Sequence, residues 1–339
     1  MADPEQIVPI PFFRTCVKLA TMSACCSPSN EPAASSSQRP AQAVGPVDVP
    51  VDVAVDVDLV ELAGGEFWMG APPLDGYPAD GEGPVHLVRL GQFAIAPTAV
   101  TNAQFAAFCN ATGHVTLAES DGWSFVFGGL LPDDFPPTRG VAAAPWWRQV
   151  EGADWRHPAG PHTTYIDLAD HPVVHVTWHD AVAYCEWSGT RLPTEAEWEF
   201  AARGGLDRAR FPWGDDLEPD GEHRMNVFQG EFPRVNTVAD GHAGTAPVRS
   251  FAPNGYGLYE TSGNVWEWCA DWFSPDTYRE SERHSPRLDP TGPSTGTHRV
   301  MRGGSYLCHD SYCNRYRVGA RSSNTPDSAT GNIGFRVAR

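Results

Sequence analysis

Two cysteines near the carboxyl end of the 339-residue chain, Cys308 and Cys313, are the residues whose type and spacing suggest chemistry most directly. With this spacing they would lie on opposite faces of a strand and about 140° apart on a helix, so only a bent backbone brings both sulfurs together. Two thiolates are too few for a closed zinc site, which takes four ligands, but soft sulfur ligation suits Cu(I). The spacing leaves three interpretations open: a soft-metal site, a structural disulfide and two unrelated buried thiols.

Other common catalytic signatures are absent from the sequence, including the G-x-S-x-G elbow, the H-E-x-x-H zinc helix, the P-loop and G-x-G-x-x-G. The charge excludes further classes, because 24 Lys and Arg against 42 Asp and Glu give a formal net charge of −18. That sign disfavours nucleic-acid and anionic-lipid partners. No apolar run approaches the roughly 18 residues that span a bilayer. The sequence therefore predicts a soluble protein that binds neither nucleic acid nor membrane.

Three helices that could help to position the cysteines are predicted from local signals. Two follow a capping box, in which a threonine is followed three residues later by glutamine or glutamate. The third is predicted from apolar residues at helical spacing, and glycine is the expected stop signal. The predicted helices are one opening after Thr101, Trp178–Ser188 before Gly189, and Glu195–Arg203 before Gly204.

The remaining segments are short, such as 85–90, 173–177 and Arg299–Arg302, and long Gly-, Pro- and Asn-containing stretches separate them. We therefore expect an α+β fold, a single irregular, loop-rich domain with few helices, whose loops need internal ligands or polar networks. Uniform composition predicts one domain over residues 58–339. Residues 1–57, rich in Ser, Pro and Ala, are predicted to be a disordered leader, with a lipoprotein signal or a translation start at Met22 as open alternatives.

Several motifs carry a family resemblance, and the cysteine pair lies inside one of them. They are His171-Pro-Val-Val-His-Val, Arg191-Leu-Pro-Thr-Glu-Ala-Glu-Trp-Glu, Gly263-Asn-Val-Trp-Glu-Trp, Gly303-Gly-Ser-Tyr-Leu-Cys with Tyr312-Cys-Asn-Arg-Tyr-Arg, Ala320-Arg-Ser-Ser-Asn-Thr-Pro-Asp-Ser and Asn332-Ile-Gly-Phe-Arg. Over roughly residues 62–339 the chain resembles the formylglycine-generating enzymes, or sulfatase-modifying factors, whose scaffold is C-type-lectin-like. The cysteine pair is the narrower, enzyme-specific signal, whereas the Arg-Leu-Pro-Thr-Glu and Gly-Asn-Val-Trp-Glu motifs belong to a wider superfamily with many non-catalytic members.

The resemblance implies an oxidase that uses molecular oxygen to convert one cysteine in a Cys-x-Pro-x-Arg motif of an unfolded sulfatase to Cα-formylglycine. It also implies that Cys308 and Cys313 hold Cu(I) and that the substrate thiolate joins them as a third soft ligand. Ser305 would line the oxygen pocket as a hydrogen-bond donor, and Trp266 would wall it. Taken alone, Ser305 is simply a satisfied hydroxyl and Trp266 a core residue.

The resemblance further implies two structural calcium sites, built from the oxygen ligands that Ca²⁺ prefers. At the second site, Glu260 stands where relatives usually carry Asn, a departure from the family pattern. The expected ligands are Asn226, Val227, Asp240 and His242 for the first site, and Glu260, Gly263, Val265 and Glu267 for the second.

One departure from animal relatives bears on the compartment. The positions expected to hold the partner of Cys185 and the cysteines of a second bridge carry Val337, Ala202 and Val318 here, so those two bridges cannot form. This agrees with a reducing cytoplasm, and it leaves Cys109, Cys185 and Cys269 as expected buried thiols.

Two alternatives to the oxidase come from other classes. A non-catalytic C-type-lectin-like binding module would keep the scaffold and would need no thiol pair. An iron-dependent sulfoxide synthase would need a further helical domain with a histidine triad, which the short leader does not supply.

Overall fold

The computed structural model describes residues 27–29, 57–72 and 75–339. Nearly all of the leader lies outside these residues, so its disorder stays a prediction, as do the domain bounds. The described part contains five α-helices, all of them short, and none is long and apolar enough to cross a bilayer. The helices are α1 Asn102–Thr112, α2 Leu117–Asp121, α3 Trp178–Ser188, α4 Glu195–Arg203 and α5 Thr277–Glu282. Four single 3₁₀ turns lie at Pro78–Asp80, Gly128–Leu130, Tyr165–Leu168 and Pro219–Gly221.

Short strands make up the rest of the regular structure. They are β1 Val60–Leu62, β2 Gly65–Met69, β3 His86–Leu90, β4 Phe93–Ile95, β5 Trp123–Phe127, β6 Arg139–Val141, β7 Ala144–Glu151, β8 Gly230–Glu231, β9 Val235–Asn236, β10 Trp266–Trp272, β11 Arg287–Leu288, β12 Arg299–Arg302, β13 Arg321–Asn324 and β14 Ile333–Gly334. The described strands pair as β1-β4, β13-β12-β10-β14, β11-β3-β2, β5-β7-β6 and β8-β9. The loop-rich α+β fold expected from the sequence is confirmed.

The three predicted helices are confirmed, because their signals are local. Thr101 and Thr194 accept hydrogen bonds from the backbone N–H groups of Gln104 and Glu197, and both capping boxes are complete. Helix α3 has the predicted bounds, although its own box, from Thr177 to Asp180, was not foreseen. A further box at Thr116 opens α2, a five-residue helix too short to show an apolar period.

The four-stranded sheet positions the cysteines. Strands β13, β12 and β10 are antiparallel, and β10 runs parallel to β14. Strands β12 and β13 are paired so that Arg302 lies opposite Arg321, and the intervening chain, residues 303–320, carries both cysteines. The loop therefore leaves and re-enters the sheet at neighbouring positions, which fixes both of its ends.

Candidate active site

The loop begins with two glycines that turn the chain sharply out of β12. Gly303 and Gly304 have φ angles of +93° and +75°, in the left-handed region that favours glycine. A Cβ atom at Gly304 would lie 3.0 Å from the Cα atom of Tyr316. The close approach of these two backbone segments therefore requires glycine, and it folds the loop back on itself.

This fold brings the two cysteine sulfurs together. The Sγ atoms of Cys308 and Cys313 are 3.4 Å apart. The bent backbone between them is held by hydrogen bonds from the N–H groups of Tyr312 and Cys313 to the carbonyl of His309, at 3.0 and 2.7 Å. Both cysteines are free thiols, since a disulfide would place the sulfurs about 2.0 Å apart. The two sulfurs are thus not joined in a disulfide, and they are in contact, as the soft-metal interpretation requires.

The thiols lie in a predominantly apolar environment. Both cysteines are buried in the core cluster that also contains Trp266 and Phe335. Burial, followed by the neighbouring Cys313 sulfur, raises the pKa of Cys308 well above its ordinary value. Without a bound cation, Cys308 is therefore protonated at neutral pH, whereas a bound cation would favour its thiolate form.

One positive charge does reach the pair. Nη1 of Arg315 lies 3.6 Å from the Cys313 sulfur. Nε of the same guanidinium donates to Asp80 at 2.5 Å, and its plane lies over the ring of Tyr77, 3.9 Å from the ring centre. These contacts fix Arg315 beside the thiol pair, and nothing in the sequence pattern pointed to its role.

An uncharged chain of hydrogen bonds reaches Ser305, three residues before Cys308. Thr330 donates to Oδ1 of Asn332 at 2.7 Å, and Nδ2 of Asn332 donates to Oγ of Ser305 at 3.0 Å. Because Ser305 accepts in this chain, its own hydroxyl hydrogen is left to be donated elsewhere. Sequence reasoning named Ser305 but missed Asn332 and Thr330, although Asn332 opens one of the quoted motifs.

Trp266 lies at the start of β10, fully buried, and its backbone N–H donates to the carbonyl of Asn332 at 2.8 Å. Its indole Nε1 is buried without a hydrogen-bond partner among the described residues. A buried, unpaired N–H is uncommon and is costly unless a ligand or a water satisfies it. The structure thus places Trp266 in the same core as the thiols and leaves one polar atom of it unsatisfied.

Residues expected at the first calcium site lie in segments that contact each other. Oδ1 of Asn226 is buried without a hydrogen-bond partner in the described part of the chain. Nearby, the Asp240 carboxylate accepts hydrogen bonds from the N–H groups of Val227 and His242, at 3.0 and 2.9 Å. A buried, unpaired carbonyl oxygen close to a carboxylate is a donor set that fits Ca²⁺.

The residues expected for the second calcium site are arranged for an ion pair. Arg336 donates to both carboxylate oxygens of Glu267, at 2.6 and 2.7 Å, and Trp198 Nε1 donates to one of them at 2.7 Å. Glu260 accepts hydrogen bonds from the N–H groups of Arg249 and Phe251, at 3.0 and 3.3 Å. Gly263 donates its N–H to the carbonyl of Gly303 at 2.9 Å, and Val265 packs in a small apolar cluster. A guanidinium in this position already neutralises Glu267, so the arrangement does not fit a second cation.

The other three described cysteines are buried free thiols, as expected. Burial raises the pKa of Cys109 and of Cys185 to about 12. Among the described residues, no group of three or more His, Cys, Asp or Glu side chains is placed to hold a metal ion. A soft-metal site in this part of the chain would therefore rest on the two thiols of the cysteine loop alone.

Comparison with known proteins places this geometry in context. Residues 51–339 match the family described as "Sulfatase-modifying factor enzyme 1-like domain". The chain is 62% identical over 280 residues to a protein of Streptomyces coelicolor named "Formylglycine-generating enzyme", covering 82% of this chain and 88% of that protein. It is 44% identical over 287 residues to a Bos taurus protein named "Inactive C-alpha-formylglycine-generating enzyme 2", covering 83% and 88%. Among solved structures, PvdO from Pseudomonas aeruginosa is similar with a TM-score of 0.58 and 27% identity, covering 84% of this chain and 94% of that one.

Proposed function

Because the chain belongs to the sulfatase-modifying factor family, we propose that it is a formylglycine-generating oxidase. Its substrate would be a cysteine in a Cys-x-Pro-x-Arg motif of an unfolded sulfatase, and its oxidant molecular oxygen. The observation that carries the proposal is the contact between the free sulfurs of Cys308 and Cys313, 3.4 Å apart in a loop with both ends fixed.

The two thiols form a donor set that fits Cu(I), a soft ion that takes sulfur ligands in low coordination numbers. When bound, Cu(I) would supply a redox-active centre that favours the thiolate form of its ligands and of an incoming substrate thiol. The protein contributes the rest. The left-handed turn at Gly304 sets the loop path, and the apolar core around the sulfurs limits access of water.

Ser305 and Trp266 are proposed to serve the oxygen side of the site. The hydrogen bond from Asn332 orients the Ser305 hydroxyl, whose hydrogen is left to be donated. The unpaired indole N–H of Trp266 is a second buried donor in the same core. Two donors in a dry environment can stabilise negative charge that develops as oxygen is reduced. The acidic net charge of −18 also favours approach of an arginine-bearing peptide.

We also propose one structural Ca²⁺ at Asn226 and Asp240, where the unpaired Oδ1 atom of Asn226 supports it. Such an ion would join the segment around Asn226, which donates to the Gly244 carbonyl at 2.8 Å, to the loop that carries Asp240. A cytoplasmic location stays a prediction from the missing disulfide partners.

The function is tested by incubating the reduced, copper-loaded protein in air with a Cys-x-Pro-x-Arg peptide and trapping aldehyde for mass spectrometry. We expect aldehyde in air and none under argon. A Cys185→Ser variant, which removes a buried thiol far along the chain from the pair, is the matched control and should retain activity. Absence of aldehyde with copper bound would leave the non-catalytic binding module, and the family does include a Bos taurus relative whose name calls it inactive.

A further inference from the structure

Three residues of the leader, Ser27, Pro28 and Ser29, are described, and they pack against the folded domain. Ser27 is fully buried, Pro28 is buried and Ser29 is half-buried. The partners of Ser27 lie about 300 positions later in the sequence, at the end of β13 and just before β14. A serine fully buried on a distant surface is a specific contact, because its polar groups must find partners there.

The side chain of Asn324 binds the main chain of the described leader residues. Nδ2 of Asn324 donates to the carbonyl oxygens of both Ser27 and Pro28, at 3.2 and 3.3 Å. The orientation of this amide is fixed from behind, because its Oδ1 accepts from the N–H of Thr325 at 2.9 Å and from the Ser328 hydroxyl at 3.0 Å. Asn324 is therefore preorganised to bind a peptide main chain in an extended segment.

The side chain of Ser27 joins the uncharged hydrogen-bond chain of the candidate active site. Its Oγ atom lies 2.8 Å from Oγ1 of Thr330 and 3.5 Å from Oδ1 of Asn332. Since Thr330 donates its hydrogen to Asn332, Ser27 must be the donor to Thr330. The direction of donation then runs from Ser27 through Thr330 and Asn332 to Ser305, three residues before Cys308. We call the surface formed by Asn324, Thr330 and Asn332 the polar groove.

The sequence around this contact resembles the proposed target. Cys26, Ser27 and Pro28 reproduce the Cys-x-Pro part of Cys-x-Pro-x-Arg, and Asn30 stands where the target has arginine. Cys26 and Asn30 lie outside the described residues, so the comparison at these two positions is one of sequence. The described part places the x and Pro positions of this segment in the polar groove.

We propose that the leader segment Ser27, Pro28 and Ser29 is an intramolecular occupant of the polar groove and competes there with peptide substrates. The inference rests on the proposed function in one respect, that the substrate segment binds in this groove. The groove offers a carboxamide, a hydroxyl and a second carboxamide, which suit a neutral extended peptide. Replacement of arginine by asparagine removes the charged end of the motif, so an external segment that carries arginine can displace the leader.

The same chain can reach the groove. Between Ser29 and Val57 the backbone can span about 90 Å when extended, at about 3.3 Å per residue. A domain of about 280 residues has a radius of gyration near 19 Å, so this reach exceeds the width of the domain. A flexible covalent tether gives an effective concentration in the range of about a millimolar, at which even a weak segment is an effective competitor.

The test compares the full-length chain with two leader variants. Ser27→Asp places a carboxylate against Oδ1 of Asn332 in a fully buried position and should expel the leader. Ser36→Asp adds the same charge to the leader seven or more residues after the described contact residues 27–29 and is the matched control. The probe is a fluorescein-labelled peptide with the sequence of residues 22–32, titrated under argon with a reductant so that no thiol is oxidised.

We expect the probe to bind Ser27→Asp at least fivefold more tightly than it binds the wild type or Ser36→Asp. The KM for a Cys-x-Pro-x-Arg peptide should fall by a similar factor in Ser27→Asp, with kcat unchanged. Equal affinity for all three chains, or no binding to any, overturns the inference. The binding readout needs no turnover. Tighter probe binding without aldehyde formation would therefore count against the oxidase alone, whereas aldehyde formation with equal affinities would count against the leader contact alone.

Discussion

Two buried polar regions of the molecule differ in character. The first, which we call the arginine–glutamate core, consists of Glu195, Glu199, Arg203, Arg302 and Arg321. Here Glu195 pairs with Arg302 and Arg321 at 2.8 and 2.7 Å, and Glu199 pairs with Arg203 and Arg302 at 2.6 and 2.5 Å. The second region, around the cysteines, is made of two thiols and of the uncharged hydrogen-bond chain from Thr330 to Ser305.

The two regions are connected through the sheet. Arg302 and Arg321 face each other across β12 and β13, at the two ends of the cysteine loop, and both bind Glu195. Full charges fix the ends of the loop, because a buried ion that loses its partner is costly. Apart from Arg315, which is paired with Asp80 beside the Cys313 sulfur, the groups described around the two sulfurs and Ser305 are neutral. Exchanging one of their hydrogen-bond partners for a ligand costs much less. The residues that hold the loop rigid are thus different from those proposed to take part in the reaction.

Substitution of a loop cysteine should have the largest effect, and on activity alone. We expect Cys308→Ser or Cys313→Ser to lower aldehyde formation by about a thousandfold or more, since the two thiols act as a unit. Urea unfolding should remain cooperative with a midpoint close to that of the wild type, because each change is nearly isosteric. Full activity in either variant would show that ligation by both thiols is not required.

Substitution in the arginine–glutamate core should instead lower stability much more than activity. Glu195→Gln leaves Arg302 and Arg321 without one counter-charge and should lower the free energy of unfolding by about 3–5 kcal/mol. The specific activity of the folded fraction should fall much less than in the cysteine variants. The measurement is urea unfolding followed by Trp fluorescence. A loss below about 1 kcal/mol, the range of exposed pairs, would contradict the division drawn above.

Titration of Asp271, at the edge of the arginine–glutamate core, offers a smaller effect. Its carboxylate accepts from the N–H of Glu195 at 2.8 Å, and burial, followed by the Glu195 charge, raises its pKa to about 7. The unfolded chain ionises this group near its ordinary pKa of 3.8, so the folded state holds its proton longer. Stability should therefore fall as pH rises from about 4 to about 7 and then level off, by up to about 2 kcal/mol between pH 5 and pH 7.

The neutral variant Asp271→Asn has no such proton to lose. It should show a flatter dependence of unfolding free energy on pH across pH 5–7 and should exceed the wild type at pH 8. If the free energy of unfolding depends on pH in the same way in both proteins, Asp271 is ionised in the folded state throughout this range, like the glutamates of the arginine–glutamate core.

The sequence predicted the parts of this arrangement that depend on local signals. The capping threonines and stop glycines located three helices, since a cap and its partner are three residues apart. Contacts between distant segments were not predictable in this way. Nothing near Glu267 indicates that Arg336, 69 positions later, neutralises it, and nothing near Asn324 indicates that it binds the leader. The cysteine pair was recognised, but its spacing alone did not distinguish a site from a disulfide.

The smallest expected effect concerns the uncharged chain itself. Ser305→Ala removes the hydroxyl at the end of that chain and leaves Nδ2 of Asn332 without this acceptor. A net loss of about 1.4 kcal/mol, typical of one neutral hydrogen bond, corresponds to about a tenfold lower kcat/KM. Ser262→Ala is the matched control, because Ser262 is buried and its hydroxyl has no hydrogen-bond partner in the described part of the chain. Aldehyde formation measured at several oxygen concentrations distinguishes a role of Ser305 towards oxygen from a purely structural role. A defect in Ser305→Ala that grows at low oxygen supports a role of this hydroxyl towards oxygen. A defect that does not change with oxygen concentration, or that Ser262→Ala shares, would show that Ser305 has only a structural role. The uncharged chain would then stabilise the loop, as the arginine–glutamate core does.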